Sequence, residues 1–101
     1  MPQIFAVHDN GHDLSAAAKY GRVAFLFSRE EKINVFAADL LVRTVRERLA
    51  DATEDDYLVL TGNTIACCVA YSYLLKTFGR VNILIFSFRN SEYELRTIRD
   101  A

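Results

Sequence analysis

A chain of 101 residues with 51% hydrophobic side chains and a single proline has the size and composition of one globular domain spanning residues 1–101, and it excludes a disordered segment. Twelve basic residues against thirteen acidic leave a formal charge of −1, which argues against bulk attraction to nucleic acid, where a basic domain is the usual footprint. The longest apolar tract, Ile65 to Tyr71, falls far short of the roughly 20 residues a membrane span needs.

MPQIFAVHDN has no basic leader running into an apolar stretch and a small-residue cleavage site, so no secretory signal is expected. The only cysteines, Cys67 and Cys68, are adjacent, and neighbours on a helix point apart, which excludes a structural disulfide between them. Two free thiols suit a reducing cytoplasm.

Taken in chain order, Ile4 to Val7 reads as a short strand ending at the polar loop HDNGHD, His8 to Asp13. LSAAAKY, residues Leu14 to Tyr20, suggests one or two helical turns stopped by Gly21, and Arg22 to Phe27 reads as a strand with apolar residues on both faces. A polar loop, Ser28 to Asn34, leads to a helix over Phe36 to Ala50. Ala38, Leu41, Val42, Val45 and Leu49 form its apolar stripe, opposite Asp39, Arg43, Arg46 and Glu47.

The acidic turn DATEDD precedes a strand over Tyr57 to Leu60, then TGN and a second helix over Thr64 to Phe78. Val81 to Phe88 forms the next strand, RNS a hairpin turn, and Glu92 to Ile98 a polar, alternating final strand.

Two stretches echo each other: YGRVAFLFS, Tyr20 to Ser28, and FGRVNILIFS, Phe78 to Ser87. A helix commonly ends on a glycine in a left-handed conformation, so both copies are read as helix-to-strand junctions rather than as a duplicated ligand site. The order is then β-α-β-α-β-α-β-β. Strands that are apolar on both faces need cover on both faces, which implies a small three-layer α/β fold, Rossmann-like or flavodoxin-like, with a mostly parallel sheet and right-handed crossovers. The strand order 2-1-3-4-5 is the most economical. The charged final strand, with Glu92, Glu94 and Arg96, fits an antiparallel edge.

The second helix is apolar around nearly its whole girth, with only Ser72 and Lys76 in a narrow polar wedge. A small domain has little chain left to bury such a helix twice, so a second subunit is expected, first as a two-fold dimer. Cys67, Ala70, Tyr71, Leu74 and Phe78 are the expected interface residues. The alternative is cover by tyrosines and chain ends within a monomer.

In an open parallel sheet, ligands bind at the carboxyl ends of the strands, where two loops should lie. Thr61, Gly62, Asn63 and Thr64 join a strand to a helix, so glycine backbone, helix N–H groups and hydroxyls could cradle a phosphate or carboxylate; helix capping by Asn63 or Thr64 is the simpler role. No P-loop or dinucleotide fingerprint is present. His8, Asp9, Asn10 and Gly11, with His12 and Asp13, could complete a ligand site, although Asp and Asn beside Gly are also ordinary turn chemistry. The spacing matches no zinc pattern, so no metal is expected.

Cys67 and Cys68 lie in an apolar helix, the opposite of a nucleophile's setting. Arg43, Arg46 and Arg48 lie along one helix, but Arg48 points away from the other two and Asp39 and Glu47 interrupt the patch, so a solvated helix face is the reading. No serine sits in a nucleophile elbow.

DDYLVLTGN, the apolar helix, FGRVNILIF and a closing strand with Tyr93, together with AAAKYGRVAFLF and INVF, resemble small α/β proteins encoded by bacteriophages and of unassigned function. The resemblance spans most of the chain and carries no catalytic motif. It implies the cytoplasm of an infected bacterium and a compact accessory role rather than a metabolic one. The expected function is a non-enzymatic, homo-oligomeric binding protein acting on a host protein, without cofactor. The alternative is a protein that binds or sequesters a nucleotide or other phosphorylated compound through loops 61–64 and 8–13. An enzyme using His8 or His12 with Asp9 ranks third.

Overall fold

The computed structural model describes residues 2–100. Its elements are β1 (Gln3–His8), a 3-10 helix (Ser15–Tyr20), β2 (Arg22–Phe27), α1 (Ala38–Arg48), β3 (Tyr57–Val59), α2 (Thr64–Phe78), β4 (Arg80–Ser87) and β5 (Glu92–Arg99). The five strands form one sheet in the order β2-β1-β3-β4-β5, parallel except for the antiparallel β4–β5 hairpin at one edge. This is the expected strand order and the expected edge. Among the described residues, no helix is long and apolar enough to cross a membrane.

Alternation along the strands divides the core between the two faces of the sheet. Phe5, Val7, Leu58, Val81 and Ile83 meet Leu41, Val45 and Leu49 of α1 and Ala66, Cys67, Ala70 and Leu74 of α2. Ile4, Ala6, Val59, Leu84 and Tyr93 meet Leu14 and Ala17 on the other face. The uninterrupted apolar run of β1 is therefore buried on both sides. The cover is unequal, however. Both α-helices lie over the first face, and among the described residues the second is roofed only by the 3-10 helix, so no full third layer is formed by them. Val42, expected in the buried stripe of α1, is 37% exposed on the side facing α2.

The entry to β3 is held by polar groups. Asp56 accepts hydrogen bonds from the Gln3 N–H (2.8 Å) and the Thr53 N–H (2.8 Å). Buried Asn82 on the neighbouring strand donates to the carbonyls of Glu54 (3.0 Å) and Asp56 (3.3 Å), and it accepts from the Thr97 hydroxyl (2.9 Å). A polar side chain can occupy the middle of a sheet when its bonding capacity is met in this way.

The repeated phrase resolves into two different causes. Gly79 ends α2 in the left-handed conformation (φ 74°), its N–H donating to the Leu75 carbonyl at 2.8 Å, and a Cβ there would meet nothing within 4 Å. Gly21 follows the 3-10 helix at φ 152° and ψ −166°, which is not left-handed helical, and a Cβ there would overlap the carbonyl oxygen of Pro2. One glycine supplies a helix cap; the other lets two backbones pass. Gly79→Ala should lose about 1–2 kcal/mol from its backbone conformation alone, whereas Gly21→Ala, which adds a backbone overlap, should lose more. Urea denaturation of the two variants measures the difference, and equal losses would contradict the close-approach role.

Candidate functional site

The sheet ends β1 and β3 side by side, and the loops that follow them meet. The Thr61 hydroxyl donates to the His8 carbonyl (2.8 Å) and accepts from the His8 N–H (3.2 Å), clasping the two strand ends together. Gly62, at φ 75°, lies against the His8 side chain so closely that a Cβ would stand 2.5 Å from His8 Cβ and 2.8 Å from Nδ1. His8 Nε2 is buried and has no hydrogen-bond partner among the described residues. Juxtaposition of the 8–11 and 61–64 loops is therefore a property of the fold.

Several of the groups expected to hold a ligand are engaged internally. The Asn63 side chain accepts from the Ala66 N–H at 2.9 Å and caps α2, the simpler of its two sequence-level roles. Thr61 serves the strand clasp, and Gly62 is required by the His8 contact. In the other loop, Asp9 accepts from the Gly11 N–H (3.1 Å), Asn10 from the His12 N–H (3.2 Å) and Asp13 from the Ser15 N–H (2.8 Å). These are successive Asx turns. Arg29 approaches Asp9 at 3.5 Å on the exposed side. Among the described residues, no three His, Cys, Asp or Glu side chains are placed to hold a metal ion.

What the loops enclose is a cavity of about 390 Å³ on the thinly roofed face of the sheet, lined by Asn10, His12, Asp13, Thr61 and Gly62 together with Leu60, Leu84, Phe86, Phe88 and Tyr93. The aromatic wall was not apparent from the sequence. Phe86 and Tyr93 are cross-strand partners in the hairpin, their rings 5.2 Å apart and edge-on. Phe88 stacks edge-on against Phe86 at 5.2 Å. The FSF spacing and the single tyrosine of the last strand were the available signals, but pairing them needs the hairpin register. Two ionisable groups on the wall are perturbed. Asp13 is held below the usual carboxylate value, first by the Ser15 N–H and then by the Ser15 side chain. Burial, with the charge of Asp13 adding to it, pushes the Tyr93 hydroxyl up.

The residues expected at a subunit contact are mostly committed elsewhere. Cys67, Ala70 and Leu74 are buried against the chain's own sheet, and Tyr71 and Phe78 are half-buried and pack on the same core. Periodicity could not tell which apolar side of α2 the sheet would take. The outward side carries Ile65, Cys68, Ser72 and Lys76. With Val42 and Arg46 of α1 and with Val69 and Tyr73, they line an open groove of about 380 Å³ between the helices. Arg46 lies over the Tyr73 ring at 5.8 Å.

Thr61→Val should remove both hydrogen bonds to the His8 backbone while keeping the side-chain shape. In this half-buried setting the expected loss is about 1 kcal/mol, the low end for groups left unpaired. Thr61→Ser should recover most of it, and urea denaturation reads both. A substitution at Gly62 reports on the packing of His8 before it reports on any ligand.

Comparison with curated proteins and with solved structures yields no match. A family model described as "Phage Pam3 gp32-like protein" matches residues 3–99, from the first residue of β1 to the last of β5. The description names a bacteriophage protein and carries no activity with it. The kinship expected from the strand, loop and helix pattern thus extends over the whole sheet, and the chain belongs to the Phage Pam3 gp32-like protein family.

Proposed function

We propose that this phage protein is a non-enzymatic, self-associating binding protein acting in the cytoplasm of the infected host, its self-contact formed by the outer side of α2 and the adjoining side of α1. The supporting observation is the apolar character of that side. Ile65 is 48% exposed, Cys68 is exposed, and Val42, Val69 and Tyr73 continue the surface into the groove. An apolar helix side without cover is a recognition surface more often than a neutral one. A two-fold contact uses each of these side chains twice. Ser72 lies one turn from Cys68, and both are small enough for a second backbone to come close. The surface left free would then meet a host protein.

The expected result is a solution mass of twice the chain by light scattering at micromolar concentration. Ile65→Glu should give a monomer with an unchanged circular dichroism spectrum, because the side chain is half in solvent already. A bismaleimide cross-linker should join copies through Cys68 and fail in Cys68→Ser. Cys67→Ser should still cross-link, since burial first and the Cys68 charge second push the Cys67 thiol up to about 11, and its thiolate is scarce near neutral pH. A wild-type monomer at these concentrations overturns the proposal.

A second reading is a small-ligand protein that holds a nucleotide or other phosphorylated compound between the two loops. It is favoured by one observation: residues of both loops line a single cavity at the carboxyl ends of the parallel strands.

A further inference from the structure

Resting on that second reading, we infer that the cavity beside β4 takes an uncharged planar heterocycle bearing an amino group, the base of a nucleoside, rather than a phosphate. Its volume of about 390 Å³ lies toward the small end of ligand sites. Its wall is a set of edge-on aromatic rings ending in Phe88, which is 89% exposed although held against Phe86. A ring held against a neighbour with most of its surface free is an arrangement on which bases stack, and every base offers a matching face.

The polar part of the wall points the same way. Among the described residues, no Lys or Arg lines the cavity; Asp13 brings a carboxylate to it and the His12 imidazole is its one basic group, so a phosphate would meet repulsion with no permanent counter-charge. The anion cradle foreseen at 61–64 is mostly committed, with the Thr61 hydroxyl bonded to His8 and the Asn63 side chain to Ala66. The first two residues of α2, Thr64 and Ile65, do not line this cavity. In contrast, Asp13 accepts from the Ser15 N–H at Oδ1 and from the Ser15 side chain, and a carboxylate, with about four lone-pair sites, has accepting capacity left. Asn10 uses its oxygen for the His12 N–H and keeps its amide donors. A carboxylate acceptor and an amide donor beside a stacking ring match the hydrogen-bonding edge of adenine, cytosine or guanine. Uracil, which has no amino group, fits less well.

The test is a titration of the full chain with adenosine, cytidine, guanosine, uridine, adenosine monophosphate and inorganic phosphate, followed by backbone-amide and aromatic NMR shifts. The inference expects saturable shifts at Asp13, Phe88 and Tyr93 with the amino-bearing nucleosides, and adenosine monophosphate no tighter than adenosine. Phe88→Ala should weaken adenosine binding about tenfold or more, without unfolding because the ring is almost wholly in solvent. Asp13→Asn keeps the acceptor for Ser15 and should narrow the preference for adenosine over uridine. Tight binding of phosphate, or of the monophosphate far above adenosine, would overturn the choice of ligand class while leaving a ligand cavity standing. No saturable shift with any probe at millimolar concentration, or shifts confined to other surfaces, would overturn the cavity as a ligand site as well.

Discussion

A parallel sheet has two apolar faces, and this chain has two α-helices, both on the same face. The strand order imposes that arrangement. From β1 the chain steps one way to β2; from β2 to β3 and from β3 to β4 it steps the other way. With crossovers of one hand, the last two connections fall on one side of the sheet and the first on the other. The first is the shortest of the three crossovers, so among the described residues the second face receives only the 3-10 helix. That helix works across a wide span: the Tyr20 hydroxyl donates to the Tyr93 carbonyl at 3.1 Å, and the Tyr20 ring meets Tyr57 edge-on at 5.4 Å. Beyond its reach, toward the ends of β3 and β4, the face remains open, and the aromatic cavity lies there.

The same asymmetry shapes the helical side. α2 spends Ala66, Cys67, Ala70 and Leu74 on the sheet and α1 spends Leu41, Val45 and Leu49, leaving the seam between the helices as an apolar channel. Arg48 strengthens the outer flank of this layer. Its guanidinium donates to the Leu26 carbonyl and to Glu31 (2.9 Å), while Glu31 also accepts from the Ser28 N–H at 2.8 Å. The loop after β2 is thereby folded onto α1. A residue that reads as part of a solvated face is a tether between a helix, a strand and a loop.

Much of this fold is legible in the amino-acid order because it rests on local periodicity. β1 is apolar at every position from Ile4 to Val7, as a strand covered on both faces must be, and the alternation of Glu92 to Ile98 marks an edge. Where periodicity is silent, the reading departs from the structure. A helix apolar all round does not announce which side will face the sheet, and Cys67 and Leu74, expected at a subunit contact, face inward. The Gly-Arg-Val phrase looks like one device and is two, because the need for glycine at position 21 comes from Pro2, the residue just ahead of β1. Convergence of the 8–13 and 61–64 loops follows from the βα pattern. The wall of Phe86, Phe88 and Tyr93 does not, because it depends on the register of a hairpin. Asn82 was invisible for the same reason: its partners lie on an adjoining turn and the facing strand.

The brevity of β3 bears on the order in which the molecule assembles. With three residues it cannot hold its place between β1 and β4 by its own ladder, and it leans on Asp56 and Asn82 at one end and on Thr61 at the other. The Gln3–Asp56 and His8–Thr61 bonds each join positions 53 apart in the chain. The central strand can settle only after long loops have closed, an entropic toll that the local β4–β5 hairpin and the helices do not face. Folding should therefore begin in the β4–β5 hairpin and the helices and finish with the pairing of β1 and β3, which makes the middle of the sheet its last part to become native.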